Sequence, residues 1–246
     1  TGSWYQVKAE DGRVYSCRIK GKFRIQGIKS TNPVAVGDWV NFDIEAQSEQ
    51  QQGIITAIEP RANYLVRRSV NLSKQLHIIA ANIDQIFLVV TLKNPPTYAA
   101  FIDRFLVSAG AYHIEVVLVF NKWDSYDEGE RARAMALKQL YESIGYKALV
   151  SSALTGLGCD ELRELMKEKT SMFSGNSGVG KSTLVNLIDP KIKAMTGEIS
   201  EYHETGQHTT TFAEMHPLAF GGFLIDTPGI RGFGVIEIDK KSLSHF

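Results

Sequence analysis

Residues Gly175 to Ser182 read Gly-Asn-Ser-Gly-Val-Gly-Lys-Ser, which fits the spacing G-x-x-x-x-G-K-[ST] without deviation. The apolar pair Met172–Phe173 leads into this segment, and Thr183-Leu-Val-Asn-Leu-Ile188 continues it with helical spacing. A glycine-rich turn between a strand and a helix belongs to an α/β layer architecture, so this octapeptide constrains the fold more than any other part of the chain. Gly175, Asn176, Ser177, Gly178, Val179 and Gly180 let the backbone wrap until its N–H groups converge on a phosphate, and the helix N-terminus adds partial positive charge. Lys181 is placed to bridge β- and γ-phosphates, Ser182 to ligate Mg²⁺ through its hydroxyl, and Thr183 to offer its backbone N–H to the α-phosphate. A nucleotide-phosphate site is expected here.

The flanking sequence agrees with such a fold. Ile83–Leu92 is a nearly continuous apolar run, as expected of a strand buried on both faces of a parallel sheet. Phe101–Tyr112, Gly129–Ile144 and Cys159–Lys167 read as helices, the first with Phe101, Phe105, Leu106 and Ala109 on one face. Val116–Phe120, Ala148–Ser151 and Gly222–Ile225 read as strands. Residues 83–235 are therefore expected to form one α/β domain with a mostly parallel sheet.

Asn121-Lys122-Trp123-Asp124 follows directly from the strand Val116–Phe120. Guanine presents its ring N1–H and its 2-amino group side by side, and one carboxylate, Asp124, accepts from both. Adenine has a lone pair at N1 and no 2-amino group, so it would leave the carboxylate unpaired, a mismatch worth a factor on the order of a thousand. Asn121 is expected to hold the loop and face the O6/N7 edge, while the Lys122 stem packs along the purine. Ser151-Ser152-Ala153 ends the next strand, where the Ala153 N–H is a candidate donor to guanine O6 and Ser152 lies beside it.

Asp226-Thr-Pro-Gly229 follows the strand Phe223–Ile225. Asp226 would hold Mg²⁺ through water and the Gly229 N–H would meet the γ-phosphate. The next residue, Ile230, has no donor or acceptor with which to orient an attacking water. His208, in Gly206-Gln-His-Thr-Thr-Thr211, is the candidate substitute, and Thr210 rather than Thr209 is the candidate Mg²⁺ ligand from the same segment.

The first part of the chain differs in character. Lys plus Arg and Asp plus Glu are 27 each, yet residues 1–75 carry +4 and the remainder −4. Arg13 to Lys29 holds six basic residues and no acidic one, and Arg18, Lys20, Lys22 and Arg24 share one parity of an alternating strand. Val34–Val36, Trp39–Ile44 and Gly53–Ile58 add short strand-like pieces separated by turns. A small β-barrel of OB type over residues 1–66 is expected, with those four basic residues facing RNA phosphates, followed by a linker over 67–82. Only Cys17 and Cys159 are present, which excludes a disulfide framework and a Cys-based zinc site within these residues. The longest apolar runs fall far short of the roughly 20 residues of a membrane helix, and no signal peptide opens the chain, so a soluble protein of a reducing compartment is expected.

In ordinary GTPases the phosphate loop comes first and the base-reading loop follows. Here the order is Asn121, Ser152, Gly175, Thr209 and Asp226: the cyclic sequence is kept and the cut has moved, so the GTPase motifs are circularly permuted. Together with GQHTTT, DTPGI, Arg67-Arg68-Ser69 and Val36-Gly37-Asp38-Trp39-Val40, this order resembles the circularly permuted small-ribosomal-subunit biogenesis GTPases, the RsgA (YjeQ) family, over nearly the whole chain. The resemblance implies GTP hydrolysis stimulated by the small (30S) ribosomal subunit during late assembly, rRNA contact, release on hydrolysis, a cytoplasmic monomer with no membrane partner, and His208 in place of the glutamine. It also implies a C-terminal zinc-binding extension, of which 236–246 would be the start and whose Cys and His ligands lie outside this chain. On the residues alone, a non-catalytic GTP-gated RNA-binding module, or a GTPase acting on another RNA or in translation, stays open.

Overall fold

Alternation of inward apolar and outward polar side chains builds the N-terminal sheet. The computed structural model describes residues 4–19, 33–45, 51–68, 76–192 and 213–226, and the chain divides into two units, Thr1–Asn82 and Ile83–Phe246. In the first unit β1 (Tyr5–Lys8), β2 (Val14–Ile19), β3 (Val40–Ile44) and β4 (Gln52–Ile58) pair in the order β1-β2-β4-β3. The β2–β4 pairing is parallel and the other two antiparallel, with a register shift between Asn41 and Phe42. Tyr15, Cys17 and Ile55 turn inward and meet Val34, and the Tyr15 and Phe42 rings lie 5.1 Å apart. These strands are the described part of the OB-type domain.

Two expectations for this unit need correction. Val34–Val36 is not a strand: Val36 makes a single bridge to Ala80, because Asp38 folds the segment into a turn. The Asp38 carboxylate accepts from the Ala35 N–H at 2.8 Å and from Arg61 Nε and Nη2 at 2.6 Å each. Both side chains of this pair are buried, and Arg61 Nη2 also reaches the Pro33 carbonyl. Nor is 67–82 a plain linker. β5 (Tyr64–Arg68) and β6 (Leu76–Ala81) pair antiparallel, since Ile78, Ala80 and Ala81 bury apolar surface that a solvated linker would leave wet. Asn82 closes the unit: its N–H donates to the Asn63 carbonyl, its Oδ1 accepts from the Ala62 N–H, and its Nδ2 donates to the Gly37 carbonyl.

The second unit alternates strand and helix: β7 (Gln85–Val90), α1 (Ala99–Ala111), β8 (Glu115–Phe120), α2 (Glu128–Ser143), β9 (Lys147–Val150), α3 (Cys159–Met166), β10 (Thr170–Ser174), α4 (Lys181–Ile188), β11 (Glu214–Pro217) and β12 (Phe223–Asp226). The sheet order is β11-β12-β10-β7-β8-β9. All pairings are parallel except β11 with β12. Every residue of β7 is buried, and Phe87 and Val89 join Val117, Val119 and Leu149 against Leu162, Met166, Leu184 and Ile188 of α3 and α4. Strand β11 escapes sequence inspection because its four residues bury only His216 and end in a proline.

This topology sets the position of the site. β10 lies in the middle of the sheet with β12 and β7 beside it, and five parallel strands put their C-terminal ends along one edge. Ligands of open α/β sheets bind outside that edge, which is where the motif loops leave β10, β8, β9 and β12. The chain enters this sheet through β7, a central strand, as the rotated motif order requires.

Candidate functional site

The phosphate loop leaves β10 at Gly175 and enters α4 at Lys181. Gly175 has φ 134°, and a Cβ there would stand 2.3 Å from the Val89 carbonyl oxygen. Gly180 has φ 100°, and a Cβ would stand 2.4 Å from Asn121 Nδ2. Both positions demand glycine on conformation and on space. Among the described residues, no partner accepts a hydrogen bond from the backbone N–H groups of Lys181, Ser182 and Thr183, which open α4. A run of unpaired N–H groups at a helix start is a cradle for an anion. The Lys181 ammonium lies across this loop, donating to the Gly175 and Asn176 carbonyls at 2.7 and 2.8 Å. Burial pushes its pKa down, because a partly desolvated ammonium loses hydration. An arriving phosphate would supply the missing counter-charge.

Asn121 joins this loop to the base-reading loop. Its side chain is fully buried, with Nδ2 donating to the Val179 carbonyl at 2.8 Å and Oδ1 accepting from Ser151 Oγ at 3.0 Å and from the Ala153 N–H at 3.3 Å. Asn121 therefore holds the loop, as expected, as a buried tie between three loops, with the Ala153 N–H as one of its partners. Lys122 adopts φ 63° and sends its ammonium to the Asn94 carbonyl. Asp124 is exposed, and Ser152 Oγ donates to its Oδ1 at 2.5 Å while accepting from the Thr155 N–H. Ser152 therefore aims the carboxylate, and Oδ2 has no partner among the described residues.

Sequence inspection missed three contributors. Asn94 and Pro95, in the loop after β7, touch Lys122 and approach Gly178. Tyr126, two residues beyond Asp124, accepts from the Leu92 N–H and donates to the Asn121 carbonyl, each at 2.8 Å. No motif marks these positions: Asn94 acts through its backbone carbonyl, and a single loop proline or tyrosine carries no signature of its own.

Ser182 and Thr183 are exposed, and Ser182 Oγ engages no partner among the described residues. Asp226 ends β12, next to the strand that delivers the phosphate loop. A free hydroxyl and a carboxylate are hard oxygen donors, so these residues fit Mg²⁺. His208, Thr210 and Gly229 lie outside the described residues, as do Lys20, Lys22 and Arg24. Arg18 is described, and its guanidinium pairs with Glu45 Oε1 at 2.5 Å. No group of three or more potential metal-ligating side chains occurs among the described residues. None of the described helices is long and apolar enough to cross a membrane.

Comparison with known proteins agrees with the site. Residues 58–236 match the family model described as RsgA GTPase, and residues 1–55 match the RsgA N-terminal domain. The small ribosomal subunit biogenesis GTPase RsgA of Christiangramia forsetii is 58% identical over 246 residues, covering 100% of this chain and 78% of that protein. The protein of the same name from Flavobacterium psychrophilum is 55% identical, covering 100% and 76%. Among solved structures, YjeQ from Thermotoga maritima superposes with a TM-score of 0.70 at 36% identity, covering 92% of this chain and 71% of that one. YloQ, described as a circularly permuted GTPase, gives 0.69 at 26% identity, covering 99% and 73%. With phosphate and base-reading loops in rotated order on one sheet edge, the chain belongs to the RsgA GTPase family: a circularly permuted, GTP-hydrolysing domain preceded by an RsgA N-terminal domain.

Proposed function

We propose that this protein acts in late assembly of the small ribosomal subunit, binding it in the GTP state and leaving after hydrolysis. The observation that carries this is the single hydrogen-bonded unit made by Asn121, which joins the phosphate loop to a guanine-reading carboxylate in a chain 58% identical to a small ribosomal subunit biogenesis GTPase. The N–H groups of 176–183 hold the phosphates, Lys181 leaves the Gly175 and Asn176 carbonyls to neutralise them, and Asp124 Oδ2 accepts from the base. Ser182, Thr210 and Asp226 would hold Mg²⁺, which would supply neutralisation of the phosphate charge. The Gly229 N–H contacts the γ-phosphate and His208 orients the attacking water.

The N-terminal domain binds rRNA through Lys20, Lys22 and Arg24. Arg18 joins them on release from Glu45, an exposed pair of little cost to break. Hydrolysis is slow alone and rises on the subunit. The protein works as a monomer in the cytoplasm.

Steady-state GTP hydrolysis with and without purified small subunits tests this directly. Stimulation by small subunits, and not by large subunits or free RNA, is expected. Equal rates in all four conditions would overturn the assembly role while leaving the GTPase intact.

A further inference from the structure

The loop between β7 and α1, residues 91–97, carries none of the family motifs, yet it is fastened to the base-reading loop and approaches the phosphate loop. It is closed on itself: the Thr97 N–H donates to the Thr91 carbonyl at 2.7 Å and Thr91 Oγ1 donates to the Pro95 carbonyl at 2.5 Å. Its first residues are held by Tyr126. This phenol is only 4% exposed, accepts from the Leu92 N–H and donates to the Asn121 carbonyl, so one hydroxyl bridges the exits of β7 and β8. Burial pushes the phenol pKa up, which keeps the donated proton in place. The same loop receives the Lys122 ammonium on the Asn94 carbonyl. Pro95 Cδ lies 3.4 Å from where a Cβ on Gly178 would project. Lys93 donates to Glu130 Oε2 at 2.5 Å, and its ammonium stands 6.0 Å from the Tyr126 ring centre.

Asp124 is fixed from two sides. Ser152 orients its carboxylate, but the backbone that carries it runs from Asn121 through Lys122, and that backbone is anchored at the Asn121 carbonyl by Tyr126. We propose that Tyr126 is a positioning residue for guanine recognition, holding the 91–97 loop and the 121–124 loop in one register so that Asp124 meets both guanine donors. This rests on Asp124 reading the base. Removing the hydroxyl leaves the Leu92 N–H and the Asn121 carbonyl unpaired in a buried place, and the two loops then gain by moving apart to find new partners. A carboxylate displaced by a fraction of an ångström keeps one of the two base hydrogen bonds and misaligns the other.

The test uses the full chain and two probes, GDP and inosine diphosphate, which lacks only the 2-amino group. In Tyr126→Phe the affinity for GDP falls about tenfold and that for inosine diphosphate about twofold, so the ratio contracts about fivefold. Lys93→Met, which alters a partly exposed contact to the same loop, contracts the ratio about twofold. A purely structural tyrosine would lower the melting temperature and leave the ratio at its wild-type value, and that result overturns the proposal. Should Tyr126→Phe not fold, an unchanged ratio in Lys93→Met overturns it equally. A wild-type protein that does not distinguish the two diphosphates would show instead that Asp124 does not read the base.

Discussion

Asn121→Asp isolates the joint between the phosphate loop and the base-reading loop. The substitution keeps the shape and keeps Oδ1, which accepts from Ser151 Oγ and the Ala153 N–H. It replaces the amide nitrogen, which sits 2.8 Å from the Val179 carbonyl in a fully buried position, by a second oxygen. At neutral pH two acceptors then face each other without water. The lost hydrogen bond is worth about 1 kcal/mol, and the unpaired buried acceptors add roughly 2 kcal/mol, giving about 3 kcal/mol in all. A protonated carboxyl restores the donor, so folding holds that proton to about two pH units above the ordinary aspartate range. The sign follows: a group that binds its proton more tightly when folded favours folding at low pH, so the penalty is full at pH 7.5 and falls to about half at pH 5. Urea unfolding of the nucleotide-free protein, followed by Trp123 fluorescence with Trp4 and Trp39 replaced by phenylalanine, measures the difference from wild type at both pH values. A loss below 1 kcal/mol, or one equal at pH 5 and pH 7.5, would refute the buried tie.

Three further outcomes follow from the same geometry. Arg61→Met strands the buried Asp38 carboxylate and should cost the N-terminal unit about 3–5 kcal/mol, with part of that recovered in the Asp38→Leu, Arg61→Met double variant by urea titration. Ser182→Ala should lower Mg²⁺-dependent GTP hydrolysis by about a hundredfold or more while shifting stability by less than about 0.5 kcal/mol, because the hydroxyl is exposed and has no partner among the described residues. Glu130 accepts from Lys93 and from the Asp127 N–H, which holds its carboxyl below the usual glutamate range. Its contribution is therefore present above about pH 4.3 and is lost as pH falls through the lowered value, so the melting temperatures of wild type and Glu130→Gln should converge in acid.

The α/β order, the buried β7 strand and both nucleotide loops are legible in the sequence because each rests on local chemistry: glycine spacing, an apolar run, or a carboxylate three residues after an asparagine. Helix α4 starts at Lys181 and ends at Ile188 as its pattern marks, and α1 starts two residues before its apolar stripe. Strand β11 and the β5–β6 pair are not legible, since such short strands are fixed by partners that only the fold brings beside them. The same holds within the site. The residue types that meet phosphate and base are set by sequence spacing alone. That Asn121 binds Val179, that Ser152 occupies one oxygen of Asp124, and that Tyr126 and Asn94 brace the loops were decided by the tertiary structure. The physical reason is that a buried backbone carbonyl or N–H takes whichever donor or acceptor the fold brings within 3 Å, and its own residue type has no part in that choice.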